Sequence, residues 1–415
     1  MIRILSNPSQ IVTVNTNRKN YKRGSELSYL DVLTDHSVVI ENGLIQDIIP
    51  NTAIQKINRK EIINLKGKII LPGLIDSHTH AAFAGSRSGE FRLRLRGVNY
   101  EQLAKKGGGI STTVNAVRAS SFHDLLNLAK PRVDYFISQG ITTLEIKSGY
   151  GLDFDNEMKL LKVISNLDKI YPIDIIPTFL GAHIFPKEFR NNHTGYIDLI
   201  INRLLPYVSE NKLALFCDGF CESTAFSAEE INVIFKTAKK NGLKIKLHTE
   251  QFNNIGGIDV ALNNNAVSVD HLEVIKNSDI QKLKYHDTVC TLLPGVSFFL
   301  NHKYAPARAL IDSDAIVALA TDFNPGSSNI SNLHFIMSLA ALKMNMNIEE
   351  TISSVTINAA KALCMNESIG SIEIGKKADF AVFNTEEYSD IVYNIGNNLN
   401  YMTIKNGEII YKQAS

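Results

Sequence analysis

The sequence lacks any run of apolar residues long enough to span a membrane, and residues 1–10 have no apolar core of the kind found in secretion signals. It also lacks a strong charge of either sign, because the formal net charge is +1 and the pI is about 7.7. A near-neutral chain creates no broad field for nucleic acids or membranes, so neither is expected as a partner. These absences favour a cytoplasmic protein that acts on a small molecule.

Cysteine is scarce, with four residues in a chain of 415. Cys217 and Cys221 are four residues apart, which does not match the Cys-x-x-Cys spacing of a zinc knuckle or a redox pair. We expect a reducing compartment and buried thiols in strands. The apolar fraction of 44% is sufficient for a sizeable core, and the length suits a large barrel with a smaller partner domain.

The middle of the chain alternates apolar β-type runs with helix-type stretches, and this alternation predicts the fold class. Eight strands that alternate with helices predict an α/β fold, a (β/α)8 barrel. The long connection 77–140 is a candidate for an active-site loop at the C-terminal face of that barrel. The predicted strands are 69–76, 141–146, 173–179, 213–218, 243–248, 266–270, 288–293 and 316–322.

Both ends of the chain carry the same hairpin signal. Asn42-Gly43 separates two β-type runs near the N-terminus, and Asn406-Gly407 does so near the C-terminus. Strands from opposite ends can share a sheet only if the middle folds as a closed unit. We therefore predict a small composite β-sandwich domain beside the barrel. The predicted division is 1–66 plus 371–415 for the sandwich and 67–370 for the barrel.

Histidine and acidic residues gather at the predicted C-terminal strand ends, which form the catalytic face of such a barrel. Residues i and i+2 of a strand face the same way, so His78 and His80 would present two imidazoles together. Two converging neutral imidazoles suit a divalent metal, zinc or iron above all. Later strand ends carry His183, His248, Asp270, His271 and Asp322.

The stretch Leu71-Pro72-Gly73-Leu74-Ile75-Asp76-Ser77-His78-Thr79-His80 resembles the first barrel strand of the amidohydrolase superfamily. The resemblance implies a metal site, and His78, His80, His248 and Asp322 would give three imidazoles and a carboxylate with a position left for water. Members with two metals usually carry a carboxylated Lys on strand four. The fourth predicted strand has none, so we expect one metal per chain. Asp218 and Glu222, at its end, are expected to support the ligands or the structure.

Further motifs resemble the imidazolonepropionase family within this superfamily. They cover nearly the whole chain in the same order, and Lys147–Leu152 and the stretch from Thr321 are the most specific. The matching stretches are Ala84–Arg87, Gly107–Val114, Lys147–Leu152, Gly181–His183, Asp270–Glu273, Leu293–Gly295 and Thr321–Ser327.

The resemblance implies hydrolysis of 4-imidazolone-5-propanoate to N-formimidoyl-L-glutamate, a step of L-histidine degradation. It also implies substrate contacts from Arg87, Tyr150, His183, Asn324, Gly326 and Ser327. A propanoate tail suits the forked N–H donors of an arginine. Gln251 stands where some relatives carry a carboxylate. It cannot shuttle a proton, but it can hydrogen-bond the substrate ring.

We expect Asp322 to act as the base and His271 to stabilise the oxyanion or to position the water. Glu250 is the alternative proton shuttle, although neighbouring residues of an extended chain point apart. Two other functions stay open. One is a different cyclic amidase or a nucleobase-type deaminase, which would use the same metal set, and the other is a non-catalytic barrel. By analogy with related barrels we expect a homodimer.

Overall fold

The computed structural model describes residues 2–58, 60–97 and 108–414, and the strands in these ranges form three sheets. The largest is parallel and follows chain order, each strand hydrogen-bonded to the next, with helices between them. The prediction of a (β/α)8 barrel is therefore confirmed. Its strands are Leu74–Asp76, Ile141–Lys147, Asp174–Ala182, Phe216–Cys221, Lys244–Thr249, Ser268–His271, Val289–Leu292 and Ile316–Leu319.

The first and last barrel strands meet just beyond their C-terminal ends. The Asp322 N–H donates to the His78 carbonyl at 3.0 Å, and the His80 N–H donates to the Phe323 carbonyl at 2.9 Å. These backbone hydrogen bonds join the two ends of the sheet at the catalytic face. Predicted metal ligands on strands one and eight are thereby held beside each other by the backbone itself.

The helix Ala228–Lys240 illustrates why the helices form where they do. Ser227 and Glu230 make a capping box, in which the Ser227 Oγ accepts from the Glu230 N–H at 3.2 Å. Ile231, Ile234, Phe235 and Ala238 follow a helical period and are buried against the barrel. Lysines in the last turn complement the negative end of the helix dipole.

The helices of the described ranges lie mostly between consecutive barrel strands or after the eighth. Their bounds are Ser88–Leu95, Ile110–Ala119, Phe122–Ser138, Phe154–Ile170, His193–Leu199, Leu205–Glu210, Ala228–Lys240, Gly257–Asn263, Asn277–Leu283, Pro294–Leu300, Ala307–Asp312, Leu333–Met344, Ile348–Ser354, Ile357–Ala362 and Asp390–Tyr393. Across the described residues, no helix is both apolar enough and long enough to cross a membrane.

The two smaller sheets come from both ends of the chain and enclose one apolar cluster, as expected for a composite β-sandwich. Asn42 and Gly43 both have positive φ angles, 51° and 76°, which suits a tight hairpin turn. One sheet contains Leu44–Pro50, His36–Glu41, Ile2–Ser6 and Lys60–Asn64 in spatial order. The other contains Glu408–Lys412, Asn400–Lys405, Phe380–Phe383, Ile69–Pro72, Gln10–Val12 and Val32–Leu33.

The predicted strand 69–76 is wrong as a single barrel strand, because the structure divides it at Gly73. Ile69–Pro72 pairs with Phe380–Phe383 in the sandwich, and only Leu74–Asp76 enters the barrel. A Cβ on Gly73 would lie 2.2 Å from the Thr142 Oγ1, so the crossing requires glycine. Sandwich pairing therefore continues past the boundary placed at residue 66, and the division of the chain into domains stays a prediction.

Candidate metal centre and substrate pocket

The predicted metal ligands meet at the catalytic face of the barrel. Within the described residues, one group of side chains could bind a metal ion: His78, His80 and His248, whose ligand atoms all lie within 4.8 Å of one another. The Asp322 Oδ1 lies 3.4 Å from the His78 Nε2 and 3.3 Å from the His80 Nε2. All four residues are buried.

Several of the atoms that could coordinate a metal ion have no hydrogen-bond partner among the described residues. The Nε2 atoms of His78 and His248 and the Oδ1 of Asp322 are buried without a hydrogen-bond partner in the ranges that the structure describes. Unpaired buried polar atoms are costly, and their convergence calls for an explanation. A divalent cation bound by nitrogen and carboxylate donors would satisfy all of them.

Two carboxylates orient the imidazoles. The His78 Nδ1 donates to the Asp270 Oδ2 at 2.6 Å, and the His248 Nδ1 donates to the Asp218 Oδ1 at 3.0 Å. Because an ionised carboxylate only accepts, each Nδ1 carries the hydrogen and each Nε2 keeps its lone pair. Burial lowers the pKa of His248 to about 3, so its ring is neutral at pH 7. Asp218 thus has the supporting role that the sequence suggests.

Beneath the imidazoles lies a buried charge network that the sequence analysis missed. The Lys147 Nζ lies 2.8 Å from both Asp218 and Glu145 and 3.9 Å from Asp270. The Lys246 Nζ lies 3.0 Å from the Glu145 Oε1. Burial alone would raise the pKa of Glu145, but the two lysines outweigh it and lower that pKa. Three carboxylates against two lysines leave one net negative charge, which favours a cation above them.

His271 lies within reach of the cluster, with its ring centroid 5.4 Å from that of His248 and 6.0 Å from that of His78. Its φ of 88° is unusual for a residue with a side chain, and its Nδ1 lies 3.4 Å from the Glu273 Oε1. These contacts are compatible with a role in polarising or positioning a bound group.

Glu250, the alternative proton shuttle, lies in a buried, acidic environment. Burial, together with Asp279 and Glu222, raises the pKa of Glu250 to about 8. The charged groups that act on it are Asp279, Glu222 and Lys276, and these are not residues of the histidine cluster. Glu250 as the alternative shuttle stays a prediction.

Tyr150 and His183 form a wall beside His80. The His183 ring stacks on that of His80, with centroids 5.4 Å apart and planes 20° apart. The Tyr150 ring centroid is 5.6 Å from that of His80 and 5.4 Å from that of His183. The structure thus brings these two predicted substrate residues together beside the metal ligands.

Arg87 and Gly326 are also brought together. A Cβ on Gly326 would lie 1.8 Å from the Arg87 Nη1, so the guanidinium packs directly on the glycine backbone. The Arg87 Nε donates to Glu90 at 2.9 Å, and Glu90 also accepts from the Gly109 N–H at 3.0 Å. Glu90 therefore holds the arginine against the long first loop. Gly107, the first residue of a matching motif, lies outside the described residues.

The predicted substrate residue Asn324 makes hydrogen bonds within its own loop. The Asn324 Oδ1 accepts from the backbone N–H groups of Gly326 and Ser327, both at 2.8 Å, and its Nδ2 donates to the Asp322 carbonyl at 2.7 Å. The Asn324 amide therefore shapes the loop, and its contact with substrate stays a prediction. Gln251 is buried just after the fifth strand.

Comparisons with known proteins show the family to which the chain is similar. The amidohydrolase family model matches residues 219–410. Imidazolonepropionase of Clostridium tetani is 42% identical over 99% of this chain and 98% of its own length. Imidazolonepropionase of Flavobacterium johnsoniae is 41% identical over 99% of this chain and its full length.

Solved structures match the whole fold at low sequence identity. A triazine hydrolase variant has a TM-score of 0.77 at 15% identity, covering 99% of this chain and 95% of its own. Guanine deaminase of C. acetobutylicum has a TM-score of 0.70 at 16% identity, and the match covers 99% of this chain and 100% of the deaminase chain. At such identities these neighbours establish the fold alone.

Proposed function

The chain belongs to the imidazolonepropionase family of amidohydrolases, hydrolases of histidine degradation, and we propose that it hydrolyses the ring amide of 4-imidazolone-5-propanoate to give N-formimidoyl-L-glutamate. The observation that carries the proposal is the match over nearly the full length of both chains, which includes every predicted ligand strand. The site chemistry described above is compatible with that reaction.

We propose that His78, His80, His248 and Asp322 hold one divalent metal ion, zinc or iron. The unpaired Nε2 atoms of His78 and His248 and the unpaired Asp322 Oδ1, all in the described structure, fit such an ion. Asp218 and Asp270 keep two of the imidazoles in the required tautomer. When bound, the ion would supply Lewis acidity and lower the pKa of a water molecule.

The protein side chains would then move the proton and stabilise charge. Burial alone would raise the pKa of Asp322, but the adjacent imidazoles of His78 and His80 outweigh it and hold that pKa well below its usual range. Its ionised carboxylate would take a proton from the attacking water and return it to the leaving ring nitrogen. His271 would donate a hydrogen bond to the developing oxyanion.

Another set of residues would bind the substrate. Arg87, anchored by Glu90 against Gly326, would bind the propanoate through two parallel hydrogen bonds. Tyr150 and His183 would contact the flat ring, and Gln251 and the Asn324–Ser327 loop would complete the pocket. The homodimer and the cytoplasmic location stay predictions.

A direct assay tests the proposal. Purified protein should remove the absorbance of freshly prepared 4-imidazolone-5-propanoate, and mass spectrometry should find N-formimidoyl-L-glutamate without free ammonia. His248→Ala should abolish this activity, whereas substitution of the exposed Tyr285 by Ser should not. Ammonia release would favour a deaminase, and an inactive, metal-free protein would favour a non-catalytic barrel.

A further inference from the structure

A buried carboxylate organises the loop that carries Tyr150. Glu157, in the first turns of the helix Phe154–Ile170, is fully buried. Its side chain accepts the backbone N–H groups of Gly149 at 3.1 Å, Gly151 at 2.7 Å and Leu152 at 2.9 Å. Three hydrogen bonds converging on one side chain fix the path of this loop.

The same loop makes a hydrogen bond with His183. The Gly149 carbonyl accepts from the His183 Nδ1 at 2.9 Å. A carbonyl oxygen can only accept, so Nδ1 carries the ring hydrogen and Nε2 keeps a lone pair.

Gly149 is part of this arrangement because of its backbone. Its φ is 101°, and a Cβ there would lie 2.9 Å from the Leu180 carbonyl oxygen and 3.1 Å from the His183 Nδ1. Only glycine permits so close an approach at such an angle. The contact between the Gly149 carbonyl and the His183 ring therefore depends on the backbone conformation of Gly149, and Glu157 stabilises that conformation through its hydrogen bonds.

We propose that Glu157 is a positioning residue that, through residues 149–152, fixes His183 in the tautomer whose Nε2 accepts a hydrogen bond. The pocket thereby selects a ligand that presents an N–H or O–H donor to His183. The identity of that ligand rests on the proposed function, because the imidazolone ring carries N–H donors of this kind. The tautomer itself follows from the contacts of the protein alone.

Ring nitrogen-15 shifts of histidine report the tautomer without any substrate. In zinc-loaded protein labelled with 15N-histidine, His183 should show a protonated Nδ1 and an unprotonated Nε2, with the signals assigned by their loss in His183→Gln. Glu157→Gln removes the charge and replaces the oxygen that also accepts from the Gly149 N–H with an N–H donor, so the Gly149 peptide should shift and His183 should change to a mixture of tautomers. KM for 4-imidazolone-5-propanoate should rise by roughly tenfold to a hundredfold, with a smaller change in kcat. Glu157→Asp should recover part of both effects.

Glu350→Gln is the matched control. Glu350 is also buried, and its carboxylate accepts the Asn347 N–H at 2.8 Å in the capping box of another helix. This variant should lower the Tm but leave the His183 tautomer and KM unchanged.

Two results would overturn the proposal. One is a protonated Nε2 on His183 in the parent protein, which decides the matter even if Glu157→Gln does not fold. The other is a folded Glu157→Gln variant that keeps the parent tautomer and a KM within about twofold. A protein that shows the expected tautomer but does not consume 4-imidazolone-5-propanoate would contradict the proposed function and leave this inference standing.

Discussion

Asp270 allows a sharp test of the metal centre, because it contacts a proposed ligand without being one. Its Oδ2 accepts from the His78 Nδ1 at 2.6 Å, and both side chains are fully buried. Asp270→Asn keeps the size of the side chain and one oxygen acceptor but removes a negative charge. The buried network beneath the imidazoles would then contain two carboxylates and two lysines, with no net charge to favour a cation.

The size of the effect can be worked out from that contact. A hydrogen bond to a charged partner contributes about 1.5–3 kcal/mol, and each 1.4 kcal/mol corresponds to about tenfold in affinity. Carboxylates that orient metal-bound histidines typically contribute roughly tenfold to a hundredfold in affinity, which agrees. We therefore expect Asp270→Asn to raise the Kd for zinc by roughly tenfold to a hundredfold, measured by competition with a fluorescent zinc chelator.

Asp279→Asn is the control for this experiment. Asp279 is also a mostly buried aspartate, and it accepts from Asn254 at 3.0 Å and from Lys282 at 2.9 Å on a helix outside the barrel strands. Its substitution should leave the zinc Kd unchanged. The reasoning is refuted if folded Asp270→Asn binds zinc within about twofold of the parent, since the charged contact would then contribute almost nothing.

Three further predictions concern the same site. Asp322→Asn should lower kcat by roughly two orders of magnitude or more, because it removes the proposed base; near-normal turnover at full metal content would assign proton transfer to another group. Arg87→Met should lower kcat/KM by a factor equivalent to about 2–4 kcal/mol, mainly because KM rises, and Arg87→Lys should recover part of this loss. A change in kcat/KM within about twofold would mean that the propanoate is bound elsewhere. Elemental analysis should find one metal per chain, because Phe216–Cys221 contains no lysine and Lys147 is held by buried carboxylates; two tightly bound equivalents would contradict this.

Features of the fold that depend on local periodicity and on the parallel arrangement of strands could be predicted from the sequence. The strand ends that carry His78, His248 and Asp322 could be located because apolar β-type runs stop there, and parallel strands present their C-terminal ends on one face. The hairpins around Asn42-Gly43 and Asn406-Gly407 could be located because that dipeptide suits a tight turn.

The pairings between distant side chains could not be predicted in this way. His78 and Asp270 are 192 residues apart, and their contact depends on the diameter and register of the closed barrel. The hydrogen bonds of Asn324 within its own loop could not be predicted either, because an asparagine that shapes a loop and one that contacts a ligand look the same in a sequence. Gly73 divides a continuous apolar run that periodicity alone describes as one strand.

The conformation of Glu250 and the identity of residue 251 both bear on which side chain transfers the proton. Glu250 has a φ of 57°, and its carboxyl group is influenced by Asp279 and Glu222. Gln251 follows directly and has no proton to exchange near neutral pH. We therefore expect another residue to take a proton from water and to give one to the leaving nitrogen. Asp322, whose Oδ1 lies 3.4 Å from the His78 Nε2 and 3.3 Å from the His80 Nε2, stays the residue that we predict to do both, and His271 the one that we predict to stabilise charge.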